Sequence, residues 1–281
     1  MPELPEVETI GRWLREGDPR EPALPSPPSV LGRTVRRVRL LWARTLAAPG
    51  LDEFTARVTG QRFEDIGRRG KYLIFHLSVD KMLVHLRMSG DLFVEPDNAP
   101  LAKHHRLVLD LDGGVRLAFN DTRKFGRVWL VEDIETVVGD LGPEPLAPDF
   151  SADRFYNLLH NRRRRLKALL LDQRFVAGIG NIYADEALFR AGLHPLTLAS
   201  EISRTQSDGL WAAIRSALND GIDRHGASID WVYRGGDFQN QFQVYQRTGE
   251  RCGRCESEIA RILIAQRSTH FCPSCQPARE L

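Results

Sequence analysis

The chain has 281 residues, 42% of them hydrophobic, and its 39 basic and 37 acidic side chains leave a net charge of +2. This length allows a sizeable core and two domains, and the small net charge does not by itself indicate a polyanionic partner. No apolar stretch approaches the roughly 20 residues of a membrane span, and the first residues lack the basic and apolar regions of a secretory signal. We therefore expect a cytoplasmic protein that does not enter a membrane.

The first half of the chain predicts antiparallel strands with flanking helices. A helix over 6–15 follows Pro5, which suits the first helical position, and a proline-rich loop over 17–29 comes next. Residues 112–114 (Asp-Gly-Gly), between two apolar segments, are typical of a hairpin turn. The strands are expected over 33–41, 61–66, 71–77, 83–87, 105–111, 115–119 and 125–131, and a further helix is expected near 51–58.

The second half changes to a helical period after a linker. Residues 140–150 contain three prolines, which interrupt both periodicities. Helices are then expected over 152–161, 165–172, 182–191 and 201–224. Arg162 to Arg165 form a run of four arginines, for which a solvated helix face and phosphate contact are equally good interpretations.

The four cysteines of the chain lie close together, with the spacing C-x2-C-x16-C-x2-C. Two such pairs at the ends of a β-hairpin can place four thiolates around one zinc ion. Four cysteine ligands leave no open coordination position, so the metal is expected to be structural. The alternative is two disulfides or free thiols. The cysteines are Cys252, Cys255, Cys272 and Cys275.

Residues 178–186 read GIGNIYADE and predict a glycine-rich turn that opens a helix. The third glycine of a dinucleotide-binding motif is replaced by Tyr183, so we reject that interpretation. Backbone N–H groups at such a turn attract a phosphate, and Asn181 could add a side-chain donor. A tight connection between helices is the alternative.

The chain begins MPELPEVET, and Pro2 follows the initiator methionine directly. Because the second residue is small, we expect Met1 to be removed, which would leave Pro2 with a free secondary amine. Such an amine can attack an aldehydic sugar carbon and form an iminium. The carboxyl groups of Glu3 and Glu6 beside it could serve as general acid or base, although on composition alone an acidic helix start is the favoured interpretation.

These pieces together closely resemble the formamidopyrimidine-DNA glycosylases, bacterial enzymes that excise oxidised purines. The resemblance extends over nearly the whole chain, although the loop DTRKF (121–125) stands where many relatives have D-P-R-R-F. The matching segments are PELPEVET, RRGKYL (68–73), HLRMSG (85–90), NDTRKFGR (120–127), LGPEPL (141–146), KALLLDQ (167–173), GIGNIYADEALF (178–189) and QRSTHFCPSCQ (266–276).

The resemblance implies an α+β fold. It consists of an N-terminal antiparallel β-sandwich with flanking helices and a C-terminal helix-two-turn-helix domain with a zinc-finger β-hairpin. We expect a catalytic domain over 1–139, a linker over 140–150, a helical domain over 151–245 and a four-cysteine zinc finger over 246–281. Within the helical domain, 226–243 corresponds to the region that folds over the extruded base.

The resemblance also implies a role for individual residues. Pro2 corresponds to the nucleophile, Glu3 to the acid that assists sugar ring opening, and Glu6 to a support for both the damaged nucleotide and that acid. The implied catalytic set is Pro2, Glu3, Glu6, Lys71 and Arg267. The implied DNA-binding set is Met88, His104, Arg123, Phe125, Arg162 and Asn181. For Phe125 alone a core position would be favoured, but its basic neighbours favour an exposed loop.

The implied function is excision of 8-oxoguanine and formamidopyrimidines through a Pro2 Schiff base, followed by strand cleavage through β,δ-elimination. The implied partner is double-stranded DNA with oxidised bases or abasic sites, the cofactor is one structural zinc, and the protein is expected to be a monomer. One alternative is an endonuclease VIII-type glycosylase for oxidised pyrimidines; those enzymes begin P-E-G-P-E, whereas this chain has PELPE. Another is a non-catalytic zinc-hairpin protein that binds damaged DNA.

Overall fold

The computed structural model describes residues 1–17, 28–228 and 235–278. The chain divides into two compact units. Unit 1 comprises Met1–Asp140 and His225–Gly236, and unit 2 comprises Leu141–Arg224 and Asp237–Leu281. Most of the predicted proline-rich loop (18–27) and the centre of the predicted base-covering region (229–234) lie outside the described residues.

Unit 1 contains two β-sheets with a shared apolar core. One sheet has the order β1-β7-β8-β6, and the other has the order β2-β9-β5-β4-β3. Buried side chains from both sheets form one cluster, together with apolar residues of the first helix. The strands are β1 (Val35–Leu40), β2 (Leu46–Ala48), β3 (Phe63–Arg69), β4 (Tyr72–Leu77), β5 (Lys81–His85), β6 (Gly90–Pro96), β7 (His105–Leu111), β8 (Val115–Asp121) and β9 (Arg127–Val131). This arrangement confirms the predicted antiparallel sandwich.

Among the described residues of unit 1, three α-helices flank the sheets: α1 (Leu4–Glu16), α2 (Leu51–Val58) and α3 (Glu135–Val138). The apolar face of α1 packs on the sandwich, with Val7, Ile10 and Leu14 fully buried. A stripe at this spacing is the pattern that buries one face of a helix. The predicted helices 6–15 and 51–58 are therefore confirmed, while α3 was not predicted.

The hairpin between β7 and β8 forms where the sequence predicts it. The two strands pair antiparallel, and Gly113 and Gly114 have φ values of 78° and 73°. The connection between the paired strands has three residues, 112–114, and glycine adopts the left-handed region that two of them occupy at no steric cost.

The sequence analysis missed strands β2 and β6. The flanking residues of β6, Gly90 and Pro96, are strand breakers in most contexts, and the segment also contains two acidic residues. However, β6 lies at the edge of its sheet, where a proline leaves no ladder hydrogen bond unsatisfied. Strand β2 has three residues, too few for a periodic signal.

Unit 2 is built on four helices and a terminal hairpin: α4 (Ala152–His160), α5 (Leu166–Leu170), α6 (Asn181–Arg190), α7 (Arg204–Asp223), β10 (Ala260–Ile264) and β11 (Arg267–Phe271). Helices α4 and α6 both pack on α7, and α6 also contacts β11. Ser203 and Gln206 form a capping box at the start of α7, which satisfies backbone N–H groups of its first turn. None of the helices in the described ranges has the length and apolar character of a membrane span.

Arg116 is the largest of the fully buried side chains of unit 1 and lies on β8. Its guanidinium contacts Glu95 on β6, with Nη2 2.5 Å from Oε1. It also donates hydrogen bonds to the carbonyl oxygens of Asp97 and Pro100, at 3.3 Å and 3.1 Å. The arginine thus ties the end of the edge strand to the centre of the sheet.

We expect Arg116→Met to lower the free energy of unfolding by about 3–5 kcal/mol, because removing one partner leaves the other charge poorly compensated. Arg36→Met is the matched control, since Arg36 pairs with Asp112 at 3.5 Å while its side chain is 64% exposed. That change should cost less than about 1 kcal/mol. Urea denaturation measures both, and equal losses would contradict this assignment.

Candidate functional site

The start of α1 buries two carboxyl groups beside Pro2. Glu3 is 2% exposed and Glu6 is 1% exposed, and Pro2 is also buried. Glu3 precedes the helix, and its backbone N–H donates to Oε2 of Glu6 at 2.8 Å. The partial positive charge of a helix N-terminus stabilises carboxylates placed there. This local geometry gathers Pro2, Glu3 and Glu6 at one point of unit 1.

The second carboxylate oxygen of Glu6 holds a distant segment of the chain. Oε1 accepts the backbone N–H of Ala227 at 2.8 Å. The preceding Gly226 has φ +80°, and a Cβ atom there would lie 2.8 Å from the same oxygen. Gly226 is therefore required both by its backbone conformation and by the approach to Glu6.

Ser228, in the same segment, hydrogen-bonds to the backbone of Gly236. Its hydroxyl accepts the N–H of Gly236 at 2.9 Å and donates to the carbonyl oxygen of Gly236 at 2.8 Å. Through Ala227 and Glu6, a continuous set of backbone and side-chain contacts connects Gly236 with Glu3.

Lys71 lies in the turn that joins β3 to β4 and is buried, with 6% of its surface exposed.

Burial is the main cause that lowers the pKa of His85 to about 3, and the nearby charges of Arg87 and Lys71 lower it further. The imidazole of His85 is therefore neutral at pH 7, and its Nδ1 accepts the N–H of Arg87 at 3.0 Å. His85 was absent from the predicted site residues, although it opens the HLRMSG motif.

Asp121 organises the loop that follows β8. Its Oδ1 accepts the hydroxyl hydrogen of Ser89 and the N–H of Arg123, and its Oδ2 accepts the N–H of Gly126 at 2.7 Å. The Ser89 oxygen also accepts from the N–H of Arg123 at 2.9 Å. These bonds join the loop 121–126 to the loop 86–90. Sequence reasoning missed Asp121 and Ser89 because each acts through a partner more than 30 residues away.

The two joined loops carry three of the predicted DNA-binding residues. Arg123 is exposed, Met88 is half-buried and Phe125 is 49% exposed. The exposure of Phe125 excludes the alternative that this ring belongs to the core. Lys124, which has φ +63°, places its ammonium 4.0 Å from the ring centroid of Trp42, a favourable cation–π contact.

His104 lies at the base of the same loop. Its carbonyl oxygen accepts the N–H of Asp121 at 2.9 Å, and its Nδ1 lies 3.2 Å from Nη2 of Arg106. A guanidinium can only donate, so Nδ1 accepts and the proton of a neutral His104 is on Nε2. Arg106 also donates to the carbonyl oxygen of Asp121 at 2.7 Å.

In unit 2 the predicted glycine-rich turn opens α6. Gly178 has φ +84°, and Gly180 precedes the first helical residue, Asn181. Gln173 supports the turn, because its amide accepts the N–H of Gly178 at 3.0 Å and donates to the carbonyl oxygen of Ile179 at 2.8 Å. The first turn of a helix presents N–H groups that have no partner within the helix, as the predicted phosphate site requires.

Asn181 and Arg267 lie next to each other. Nδ2 of Asn181 donates to the carbonyl oxygen of Ser268 at 2.8 Å, and Arg267 is the exposed residue before Ser268. The hairpin turn before Arg267 consists of Ala265 and Gln266, whose φ values are 49° and 60°. Non-glycine residues seldom adopt this region, and two of them in sequence store strain at the tip.

The arginine run remains open to both interpretations. All four side chains are exposed, as either a solvated face or a phosphate contact requires. Arg164 pairs with Asp172, with Nη1 2.6 Å from Oδ2. Arg162 donates its backbone N–H to the carbonyl oxygen of Leu159 at 2.9 Å and so ends α4.

The four cysteines form a compact group, with all Sγ atoms within 4.8 Å of one another. Sγ of Cys252 lies 3.8 Å from that of Cys275, and Sγ of Cys255 lies 3.4 Å from that of Cys272. Four thiolates at about 2.3 Å from a tetrahedral zinc would be about 3.8 Å apart, so the group fits one structural zinc ion. All four are free cysteines, which excludes the disulfide alternative.

Comparison with protein families gives a consistent match along the chain. Residues 1–128 match a family model described as the formamidopyrimidine-DNA glycosylase N-terminal domain, and residues 141–232 match the H2TH domain of the same family. Residues 249–278 match a zinc finger found in FPG and IleRS.

Relatives of similar length include the formamidopyrimidine-DNA glycosylase of Chloroflexus aurantiacus. It is 47% identical over 284 residues, which cover 98% of each chain. The protein of the same name from Protochlamydia amoebophila is 40% identical and covers 98% of this chain and 99% of its own.

Solved structures with the same fold include a complex between the Lactococcus lactis Fpg and an abasic-site-containing DNA. It superimposes with a TM-score of 0.88 at 34% identity, over 98% of this chain and 100% of that one. A structure of MutM in complex with DNA that contains carbocyclic 8-oxo-G gives a TM-score of 0.89 at 35% identity, over 99% and 100% of the two chains.

We expect the purified chain to contain about one zinc ion per molecule, because four cysteines complete a tetrahedral site. Cys272→Ser should remove most of that zinc and unfold the terminal hairpin. Ser274→Ala is the control, since this exposed residue lies between the ligands Cys272 and Cys275. Elemental analysis measures the zinc, and full zinc retention in the Cys272 variant would contradict the assignment.

Proposed function

Because the chain belongs to the formamidopyrimidine-DNA glycosylase family, we propose that it excises oxidised purines from duplex DNA and then cuts the strand at the abasic site. The preferred bases are 8-oxoguanine and formamidopyrimidines. The members of this family are DNA glycosylases of base excision repair. For this chain we propose in addition the class of damaged base, the proline Schiff base and the lyase step.

The observation that carries the proposal is the gathering of Pro2, Glu3 and Glu6 at the start of α1. Removal of Met1 would leave the Pro2 nitrogen as a secondary amine. That nitrogen forms a bond to C1′ of the damaged nucleotide as the bond from C1′ to the base breaks, and the departing base takes up the proton that the amine nitrogen loses. Opening of the sugar ring, with a proton delivered to the ring oxygen, then gives an iminium.

Glu3 is the proposed acid for the opening of the sugar ring. It follows Pro2 directly and is 2% exposed, so water competes little for the proton that it delivers to the ring oxygen. Glu6 holds the backbone of Glu3 through Oε2 and the segment that begins at Ala227 through Oε1. This bridge explains how one carboxylate can support both the acid and the damaged nucleotide.

Strand cleavage requires proton transfer beside the sugar and contacts to its phosphates. From the iminium, loss of a C2′ proton expels the 3′-phosphate, and a second elimination expels the 5′-phosphate. We assign Lys71 to the first elimination and Arg267 to the second. Asn181, adjacent to Arg267 through the Ser268 carbonyl, would grip a flanking phosphate at the N-terminus of α6.

The joined loops of unit 1 are the proposed wedge. An enzyme that acts on a base inside a duplex must extrude that base and stabilise the gap. Met88 and Phe125 would enter the stack, while Arg123 would hydrogen-bond to the edge of the orphaned partner base. His104 and Arg162 would contact the backbone, and such contacts make binding depend steeply on salt.

Borohydride should trap a covalent adduct between the wild-type protein and a duplex with one 8-oxoguanine, because it reduces the iminium to a stable amine. Pro2→Gly should retain DNA binding but lose most of the adduct and of base excision. Glu16→Gln is a control for a change of charge at the far end of α1. Tight binding without an adduct in the wild type would instead favour the non-catalytic binder of damaged DNA, and trapping by protein that retains Met1 would refute the Pro2 assignment.

Single-turnover excision should be faster on 8-oxoguanine opposite cytosine than on thymine glycol opposite adenine, by at least about tenfold. The physical basis is that a site that hydrogen-bonds its preferred base rejects a base that would leave the polar groups of the site unpaired. The opposite order, with trapping intact, would favour the endonuclease VIII-type alternative.

A further inference from the structure

We propose that Asp185 is a positioning residue that sets the spacing between Asn181 and Arg267 and thereby the grip on the phosphate beside the lesion. The inference rests on the proposed function, which assigns Asn181 and Arg267 to that phosphate. Asp185 itself touches neither the DNA nor the reacting atoms in this assignment.

Asp185 is completely enclosed and connects three elements of unit 2. Its Oδ1 accepts a hydrogen bond from Nζ of Lys167 on α5 at 2.5 Å, and both side chains are 0% exposed. Its Oδ2 accepts the backbone N–H of His270 on β11 at 2.9 Å and lies 3.0 Å from Nδ1 of the same histidine. One carboxylate thus joins α5, α6 and β11.

A carboxylate has enough acceptor positions for all three contacts, because its two oxygens carry about four lone pairs. In this arrangement Nδ1 of His270 donates to Oδ2. The Lys167 ammonium compensates the buried negative charge. Neither an amide nor a hydrophobic residue could accept from all three donors, since an amide offers a single oxygen.

Asp185 is linked to Asn181 from two directions. The two residues are four positions apart on α6, which places them one helical turn apart on the same face. Lys167 also donates to the carbonyl oxygen of Asn181 at 2.9 Å. The position of the first residue of α6 is therefore fixed by the same ion pair that anchors β11.

Asp185 is linked to Arg267 through β11. His270 lies three residues after Arg267 on the same strand, and the Asn181 amide bonds to Ser268 between them. Two anchors along one short strand fix its direction as well as its position. The Nδ2 group of Asn181 carries two N–H donors, and the bond to Ser268 uses one of them.

A buried ion pair is weak evidence for stability, because desolvation offsets the attraction between its charges. Apolar residues would pack α6 against β11 at least as well. A carboxylate that accepts from three donors, however, fits only one alignment of the strand against the helix. Buried polar groups can specify geometry in this way. This argues for positioning rather than general stabilisation.

The test couples Asp185→Asn to a change in a single DNA phosphate. Single-turnover cleavage is measured on an abasic-site duplex and on duplexes in which one of the two phosphates flanking the lesion is an uncharged methylphosphonate. In the wild type, loss of the gripped charge should slow cleavage about 10- to 100-fold at one of these positions. In Asp185→Asn the same replacement should slow it less than about threefold.

Asp220→Asn is the matched control, because Asp220 on α7 also forms an ion pair, with Arg190 at 2.5 Å, but is about half exposed. In this control, the methylphosphonate should slow cleavage by the same factor as in the wild type. Zinc content and the unfolding midpoint are measured for each variant, so that a folding defect is recognised. If Asp185→Asn loses its zinc, His270→Ala replaces it, since this variant removes the side-chain hydrogen bond from β11 to Asp185 while the carboxylate stays in place.

The outcomes distinguish failure of this inference from failure of the proposed function. If the methylphosphonate slows cleavage by a folded Asp185 or His270 variant as much as by the wild type, the positioning role is overturned, because a merely structural defect would slow cleavage of both DNAs alike. A wild type with no penalty at either phosphate overturns the proposed grip of Asn181 and Arg267, and the inference falls with it.

Discussion

The Glu6 carboxylate, buried in the first turn of α1, accepts backbone N–H groups from two places that are far apart in the chain. One oxygen binds Glu3, three residues away, and the other binds Ala227, 221 residues away. One carboxylate of α1 therefore holds both the backbone of the proposed acid and the backbone of Ala227. If this carboxylate were lost, two backbone N–H groups would be left buried without acceptors, at a cost of about 1–3 kcal/mol each.

The same interaction recurs elsewhere in the described part of the chain, at two segments that carry proposed site residues and at one before the zinc finger. Asp121 binds the backbone of the loop that carries Arg123 and Phe125, and Asp185 binds the strand that carries Arg267. Glu186 accepts the N–H groups of residues 243–245, before the zinc finger. A buried carboxylate specifies geometry better than apolar packing does, because its donors must lie in fixed directions.

These rigid anchors support exposed or strained tips. Lys124 in the proposed wedge, and Ala265 and Gln266 at the hairpin, adopt left-handed backbone conformations without being glycine. Such conformations persist where the surrounding structure holds them, and they are frequent at ligand-binding sites. The zinc site also anchors this hairpin. Its four ligands flank β10 and β11 at the end of the hairpin that is opposite the strained tip. The proposed grip on phosphate combines this strained tip with a helix N-terminus.

The sequence alone determined those features that depend on neighbours in the chain. The cysteine spacing predicted the zinc ligands, alternation and turn residues predicted most strands, and the basic surroundings of Phe125 predicted its exposure. The segment motifs identified the family and, with it, the proposed site residues. Strand β6 escaped prediction because its edge position is a property of the sheet and not of the segment, and β2 escaped because three residues are too few for a periodic signal.

Only the tertiary structure decided which side chains hold the site together. Asp185 and His270 are 85 residues apart, and Ser89 and Asp121 are 32 apart. Nothing in the local pattern distinguishes such carboxylates from solvated ones, since their partners are mostly backbone N–H groups that every non-proline residue carries. The sequence therefore determined the identity of the chemical groups, and folding decided their spacing, because hydrogen bonds between distant segments leave no periodic signal in either one.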